Sequence, residues 1–269
     1  RVKIALVDSG LGLLPAAAAV RRLRPDADLV LSSDPDGMPW GPRDAQDVSD
    51  RAVAAARAAA AHTPDVLIVA CNTASVHALP ALRAQLEPGL PVVGTVPAIK
   101  PAAAGGGPLA IWATPATTGS AYQRALIADF AHGVNVAEVP CPGLADAIQH
   151  ADAAAVDAAV AAAAARTPAA TRAVVLGCTH YELVAARIRA AVRPGEGDAP
   201  LVLHGSAGAV AAQALRRIGA RPAPADGEPG PAGPAGGLTV LLSGRPAALP
   251  AEALTYPEGR QLAAVSTVR

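Results

Sequence analysis

Short apolar runs take turns with alanine-rich stretches along this chain, and that alternation leaves few folds open. The runs fall at residues 2–7, 29–32, 66–70, 92–93, 110–113, 174–176 and 201–203. Between them lie helical stretches at 16–23, 48–61, 74–85, 120–130, 153–165, 183–192 and 207–218. Strand, crossover helix, strand is the pattern of a parallel sheet wound with helices on both faces. The runs are nearly unbroken rather than alternating, as strands buried on both sides require. Hydrophobic residues make up 52% of the chain but aromatics only 2%. The core must therefore be Ala, Val, Leu and Ile, which lets helix and sheet approach closely.

Two of the strand-to-helix junctions read alike. "LIVACNTAS" at 67–75 and "VVLGCTHYE" at 174–182 each run from apolar residues through a small residue and a cysteine into polar residues and an expected helix. The chain holds only three cysteines, and two occupy matching places. The repetition predicts two α/β halves of like build, and the 269 residues suffice for two ordinary domains. The expected boundaries are 1–97 with 207–269 for the first half and 98–206 for the second, with crossings near glycines 105–107 and Gly205. The stretch "RPAPADGEPGPAGPAGG" at 221–237 reads as a flexible surface loop.

Several function classes drop out. Lys+Arg and Asp+Glu both number 22, so no basic field exists to hold a nucleic acid backbone. No apolar stretch reaches the roughly 18 residues that span a bilayer, so no membrane partner is expected. The opening "RVKIALVDSG" passes straight into Asp8 and reads as a first strand rather than a signal peptide. An odd number of cysteines in a chain this long points to reduced thiols in a cytoplasm rather than a disulfide scaffold. The histidines at 62, 77, 132, 150 and 204 give no metal-ligand spacing with a carboxylate, so no metal is expected. Neither a GxGxxG nor a P-loop lysine motif occurs, so no nucleotide cofactor is expected.

Ligands of open parallel sheets bind beyond the carboxyl ends of the strands. Asp8-Ser9-Gly10, Cys71-Asn72-Thr73 and Cys178-Thr179-His180 all fall there, each placed as an N-cap segment ahead of a helix. A thiol at a helix N-terminus gains acidity from the dipole, by about one pKa unit, so it still needs a helper. Asp8 and His180 are the candidates by position: Asp8 to accept a thiol proton or hold an ammonium, His180 to exchange a proton with Cys178 or substrate. A single buried cysteine is usually a small core residue, and Cys141 in "VPCPGL" reads that way. Asp8 alone could be a turn residue and His180 a neighbour of a cap. Two cysteines at matched junctions favour chemistry instead. Inverting a hydrogen-bearing stereocentre needs a base on one face and an acid on the other, and a thiolate and a thiol supply both without a cofactor.

At these residues the chain resembles the bacterial glutamate racemases of the aspartate/glutamate racemase superfamily. The resemblance runs through "VDSGLG" at 7–12, "MPWGPR" at 38–43, "ACNTAS" at 70–75, "PVVGTVPAIKPA" at 91–102, "ATPATTGSAY" at 113–122 and "LGCTHYEL" at 176–183. It implies two pseudosymmetric, doubly wound parallel-sheet domains with an acidic amino acid enclosed at their interface. It implies Cys71 and Cys178 as the acid/base thiols and D-glutamate for peptidoglycan as the product, with dimers common among relatives. By the same match Asp8, Ser9, Pro39, Trp40, Gly41, Asn72, Thr73, Thr117, Thr179 and His180 line the substrate, and Asp34 assists on the Cys71 side.

Three departures stand out. Trp40 replaces a tyrosine, which loses a hydroxyl and brings a ring large enough to narrow the pocket. Gln149 aligns with a glutamate that supports the second thiol, and Leu13 replaces a glycine. An aspartate, broader amino-acid or hydantoin racemase, and a non-catalytic protein that binds an acidic amino acid, remain as alternatives.

Overall fold

The computed structural model describes residues 1–192, 200–223 and 235–264. Positions 224–234 of the stretch expected as a surface loop lie outside the described residues. The chain divides into two compact units, one of Arg1–Thr95 with Ala207–Arg269 and the other of Val96–Ser206.

The first unit opens with β1 (Lys3–Asp8), α1 (Leu14–Leu23), β2 (Asp28–Ser33), α2 (Ala45–Ala60), β3 (Val66–Val69), α3 (Asn72–His77), α4 (Leu79–Leu86) and β4 (Val92–Gly94). The second unit runs α5 (Ile99–Ala104), β5 (Leu109–Ala113), α6 (Ala121–Phe130), β6 (Val136–Pro140), α7 (Leu144–Gln149), α8 (Ala153–Arg166), β7 (Ala173–Leu176), α9 (Ala185–Ala191) and β8 (Val202–His204). The chain then returns to the first unit with α10 (Ala207–Arg217), β9 (Leu238–Leu242), β10 (Arg245–Ala247) and α11 (Pro257–Ala263).

One sheet has the order β10-β9-β2-β1-β3-β4 and the other β6-β5-β7-β8. Every pairing is parallel except β10 on β9. Within each unit the first four strands therefore stand in the same order: second, first, third, fourth. The architecture is α/β with two parallel-sheet domains, and the like topologies give the sequence repeat a structural meaning.

The central strands are the ones the sequence marks most clearly. β3, β5 and β7 are buried along their whole length, and β1 is buried beyond Lys3. In the first unit Ala5, Val7, Leu67 and Val69 join a cluster with Val48, Ala52, Ala56 and Leu82 from the helices of one face. Ile4, Leu6 and Ile68, on the alternate positions, are buried too. In the second unit Leu109, Ile111, Ala113 and Val175 pack with Ile99, Leu126 and Ile127.

Two expected helices end up divided. The stretch 74–85 breaks at Ala78, where Pro80 enters the first turn of α4 and cannot continue the preceding helix. The stretch 183–192 begins as a 3-10 turn over Thr179–Val184 and becomes α-helical only at Ala185. Asp44, Ser120 and Asp152 cap α2, α6 and α8 by accepting the N–H groups of Asp47, Gln123 and Ala155.

β9 joins the sheet through a narrow entry. A Cβ at Gly236 would lie 1.8 Å from the Ala27 carbonyl oxygen, so only glycine passes there. The Arg21 guanidinium, 4% exposed, locks this entry. Its Nη1 donates to the carbonyls of Ala27 at 2.7 Å and Pro25 at 3.0 Å, and its Nη2 to Gly237 at 3.2 Å. Burial lowers the Arg21 pKa from its ordinary value. Arg21→Met removes a donor from three carbonyls at the β2 and β9 entries, of which Pro25 and Gly237 keep the Gly236 and Leu29 N–H groups. The expected cost is about 2–3 kcal/mol, read as a lower denaturant midpoint at unchanged slope. An unchanged midpoint would show that the clasp contributes nothing net.

Candidate active site

With strands in the order second, first, third, fourth, the chain reverses direction across each sheet between its first and third strands. Such a switch point opens a crevice at the carboxyl ends of those two strands, where ligands of α/β sheets bind. In the first unit Asp8 ends β1, and Cys71 follows β3 after Ala70. In the second unit Thr114 follows β5, and Cys178 follows β7 after Gly177. Each unit thus carries one cysteine beside its own switch point.

The two cysteines also share a backbone state. Each is the N-cap of the element it precedes, with φ −143°, ψ 123° at Cys71 and φ −130°, ψ 136° at Cys178. Extended backbone at an N-cap lifts the side chain away from the helix and leaves the first N–H groups pointing outward. Gly177 is required for this approach, because a Cβ there would come within 2.7 Å of the Trp112 carbonyl oxygen. The elements that follow are short, a six-residue α3 and a six-residue 3-10 turn. These are shorter than the full helices that the sequence pattern predicts after both thiols. The dipole there is correspondingly smaller, so the thiols depend more on neighbouring side chains.

In the first unit, Asp8 is buried and its Oδ2 accepts the Gly10 N–H at 3.0 Å. It therefore makes the turn at the strand end, and within the Asp8-Ser9-Gly10 segment the cap position belongs to Gly10. Ser9 and Asn72 are also buried, and Thr73 is half-buried beside Cys71. The Ser9 carbonyl accepts the Asp34 N–H at 3.2 Å, which brings the 34–43 segment to the end of β1.

That segment corrects one expectation. Trp40 does not present its ring as a narrowing of a pocket: it is 1% exposed and belongs to the core cluster with Val48 and Ala52. Its indole N–H donates to Asp34 Oδ2 at 3.0 Å, so the residue supplies a donor although it has no phenol hydroxyl. Asp34 also takes Arg51 Nη1 on Oδ2 at 3.3 Å and the Ser243 hydroxyl on Oδ1 at 3.1 Å. With both oxygens so occupied, Asp34 holds the segment in place. Pro39 is exposed, and a Cβ built on Gly41 would meet nothing within 4 Å, so the segment shows its backbone to open space.

In the second unit, Cys178 Sγ lies 3.9 Å from His180 Nδ1, and His180 Nε2 lies 2.9 Å from Gln149 Oε1. An amide oxygen only accepts, so Nε2 carries the ring proton and Nδ1 of the neutral ring offers its lone pair to the thiol. The pair can then exchange between thiol–imidazole and thiolate–imidazolium. Thr179 is buried beside it. Thr117 sits in the loop after β5, where its Oγ1 accepts from Thr114 Oγ1 at 3.2 Å. The Gly119 N–H in that loop donates to Glu138 at 3.1 Å.

Cys141 behaves differently. Buried and directed at the Val139 carbonyl, its thiol is pushed up to about 12 by burial. Burial also pushes the neighbouring Tyr181 phenol well above its ordinary value. Neither group changes protonation near neutral pH. Among the described residues, no group of three or more His, Cys, Asp or Glu side chains gathers to hold a metal, and no helix is long and apolar enough to cross a membrane.

The family model for Asp/Glu/Hydantoin racemase matches residues 14–213. The chain belongs to this family. Among its racemase relatives, the glutamate racemase of Roseiflexus sp. (strain RS-1) is 40% identical over 210 residues, 74% of each chain. That of Pseudomonas putida is 33% identical over 258 residues, covering 91% of this chain and 90% of the relative. The crystal structure of Escherichia coli glutamate racemase in complex with L-glutamate and the activator UDP-MurNAc-Ala matches with a TM-score of 0.75 at 28% identity, over 95% of this chain and 92% of that one. Racemase chemistry at a hydrogen-bearing carbon suits the two thiols. No sequence motif marks Ser243, nor the bond by which the Glu182 carboxylate accepts the Ser206 N–H at 2.6 Å. Both contacts join residues too distant in the chain for a local motif to announce them.

Proposed function

We propose that this protein is a cofactor-independent glutamate racemase that interconverts L- and D-glutamate with Cys71 and Cys178 as paired acid and base. The observation that carries this reading is the placement of one cysteine, in the same backbone state, after the third strand of each of two units with one topology. Similarity to curated glutamate racemases at 33% and 40% identity supports the substrate. In one direction one sulfur, as thiolate, takes the Cα proton. The planar carbanion then receives a proton from the other sulfur on the opposite face, and the roles exchange for the reverse reaction. His180 exchanges protons with Cys178, and Asp8 serves the Cys71 side. The backbone amides of Ser9, Gly41, Asn72, Thr73 and Thr179, with the Thr117 hydroxyl, suit an amino acid's two carboxylates. The product D-glutamate fits the making of peptidoglycan precursors in the cytoplasm.

Incubation with L-glutamate, L-aspartate and other L-amino acids in heavy water, without added cofactor, tests the reading. Loss of optical rotation with deuterium entering Cα of glutamate is the expected result. Inversion of aspartate alone would reassign the substrate, and binding without exchange would remove the catalytic claim.

A further inference from the structure

The C-terminal strand pair lies beyond the matched family segment, which ends at residue 213, yet its turn reaches the 34–43 segment. β9 runs parallel to β2, so both strands deliver their carboxyl ends to the same rim of the sheet. At that rim the Ser243 N–H donates to the Ser33 carbonyl at 2.7 Å. The Ser243 hydroxyl donates to Asp34 Oδ1 and accepts the Asp36 N–H, both at 3.1 Å. Two residues on, past Gly244, Arg245 pairs with Asp36 at 2.9 Å. Asp34 in turn holds the Trp40 indole N–H.

We infer that Ser243 is a positioning residue for the Pro39–Trp40–Gly41 segment, acting through Asp34. This rests on the proposed racemase reading, in which the Gly41 backbone receives the amino acid. The hydroxyl stands where it satisfies a carboxylate and an amide of the segment at once, so removing it takes one hydrogen bond from each end of the 34–36 turn. Ser243 has a positive φ of 47° and Gly244 one of 76°, a tight turn that a small residue tolerates. Ser243→Gly therefore deletes the hydroxyl while suiting the backbone, and Ser243→Asn keeps a donor at a residue type that also accepts positive φ.

The chain has two tryptophans, so its indole N–H groups give two NMR signals on nitrogen-15 labelling. Trp112 donates to Thr167 in the second unit and reports whether the chain is folded. Ser243→Gly should shift the Trp40 signal and speed its exchange with solvent while Trp112 stays put. The KM for glutamate should rise about five- to tenfold, with a smaller change in kcat. Ser243→Asn should restore most of both. An unchanged Trp40 signal, or an unchanged KM, overturns the positioning role. If wild-type protein fails to invert glutamate, the racemase reading falls by itself, and the indole signals still decide the link from Ser243 to Trp40.

Discussion

Serine in place of either Cys71 or Cys178 is expected to abolish glutamate inversion, with losses of at least about 10²–10⁴-fold. A thiol titrates near 8.5, within reach of neutral pH, whereas an alcohol does not. Inversion needs a proton taken on one face and another given on the opposite face, so one working sulfur cannot complete the reaction. The substitution changes side-chain volume little, so although Cys71 packs in the core cluster of the first unit, the circular dichroism spectrum and melting temperature should change little. Racemisation at the wild-type rate by either variant would contradict the pairing. Cys141→Ser serves as the contrast. That thiol is held in the protonated form by burial, so its loss should be felt in stability and not in the acid/base steps.

The second large effect is expected at His180. Replacement by asparagine removes the Nδ1 lone pair that stands 3.9 Å from Cys178 Sγ, and turnover should fall about 10²-fold. L- and D-glutamate have equal free energies in water, so kcat/KM must fall equally in both directions. The one-sidedness shows elsewhere: the Cα deuterium isotope effect should grow for the enantiomer that Cys178 deprotonates, and less for its mirror image. Gln149 sets the other end of this relay. Its amide oxygen accepts from Nε2 without adding charge, whereas a carboxylate there would favour the imidazolium that leaves Cys178 as thiolate. Gln149→Glu should therefore raise turnover. An isotope effect that grows equally for both enantiomers of the His180 variant would place the imidazole outside the Cys178 relay.

Much of the fold is legible because the strands that matter most are the ones most deeply buried. β1, β3, β5 and β7 need unbroken apolar runs, and the sequence displays them. β6 hides because Glu138 sits in its middle, turned outward to bind the Gln123 amide. β10 hides because it is a three-residue, exposed edge containing Pro246, where no burial selects apolar residues. The cysteine pair is visible as a repeat because each copy answers the same geometric demand: a small residue, then a thiol, at the end of a third strand. The inward turn of Trp40 is not legible, since it depends on an acceptor supplied by Asp34. Nor is the hydrogen bond from Ser243 to Asp34, which closes a separation of 209 residues.

The most direct test uses the two enantiomers of a glutamate carrying chlorine on Cβ. Removal of the Cα proton then expels chloride, and no second thiol is needed. Cys71→Ser should consume only one enantiomer and Cys178→Ser only the other. Consumption of both enantiomers by one variant, or of the same enantiomer by both variants, would contradict the claim that the sulfurs serve opposite faces of one carbon.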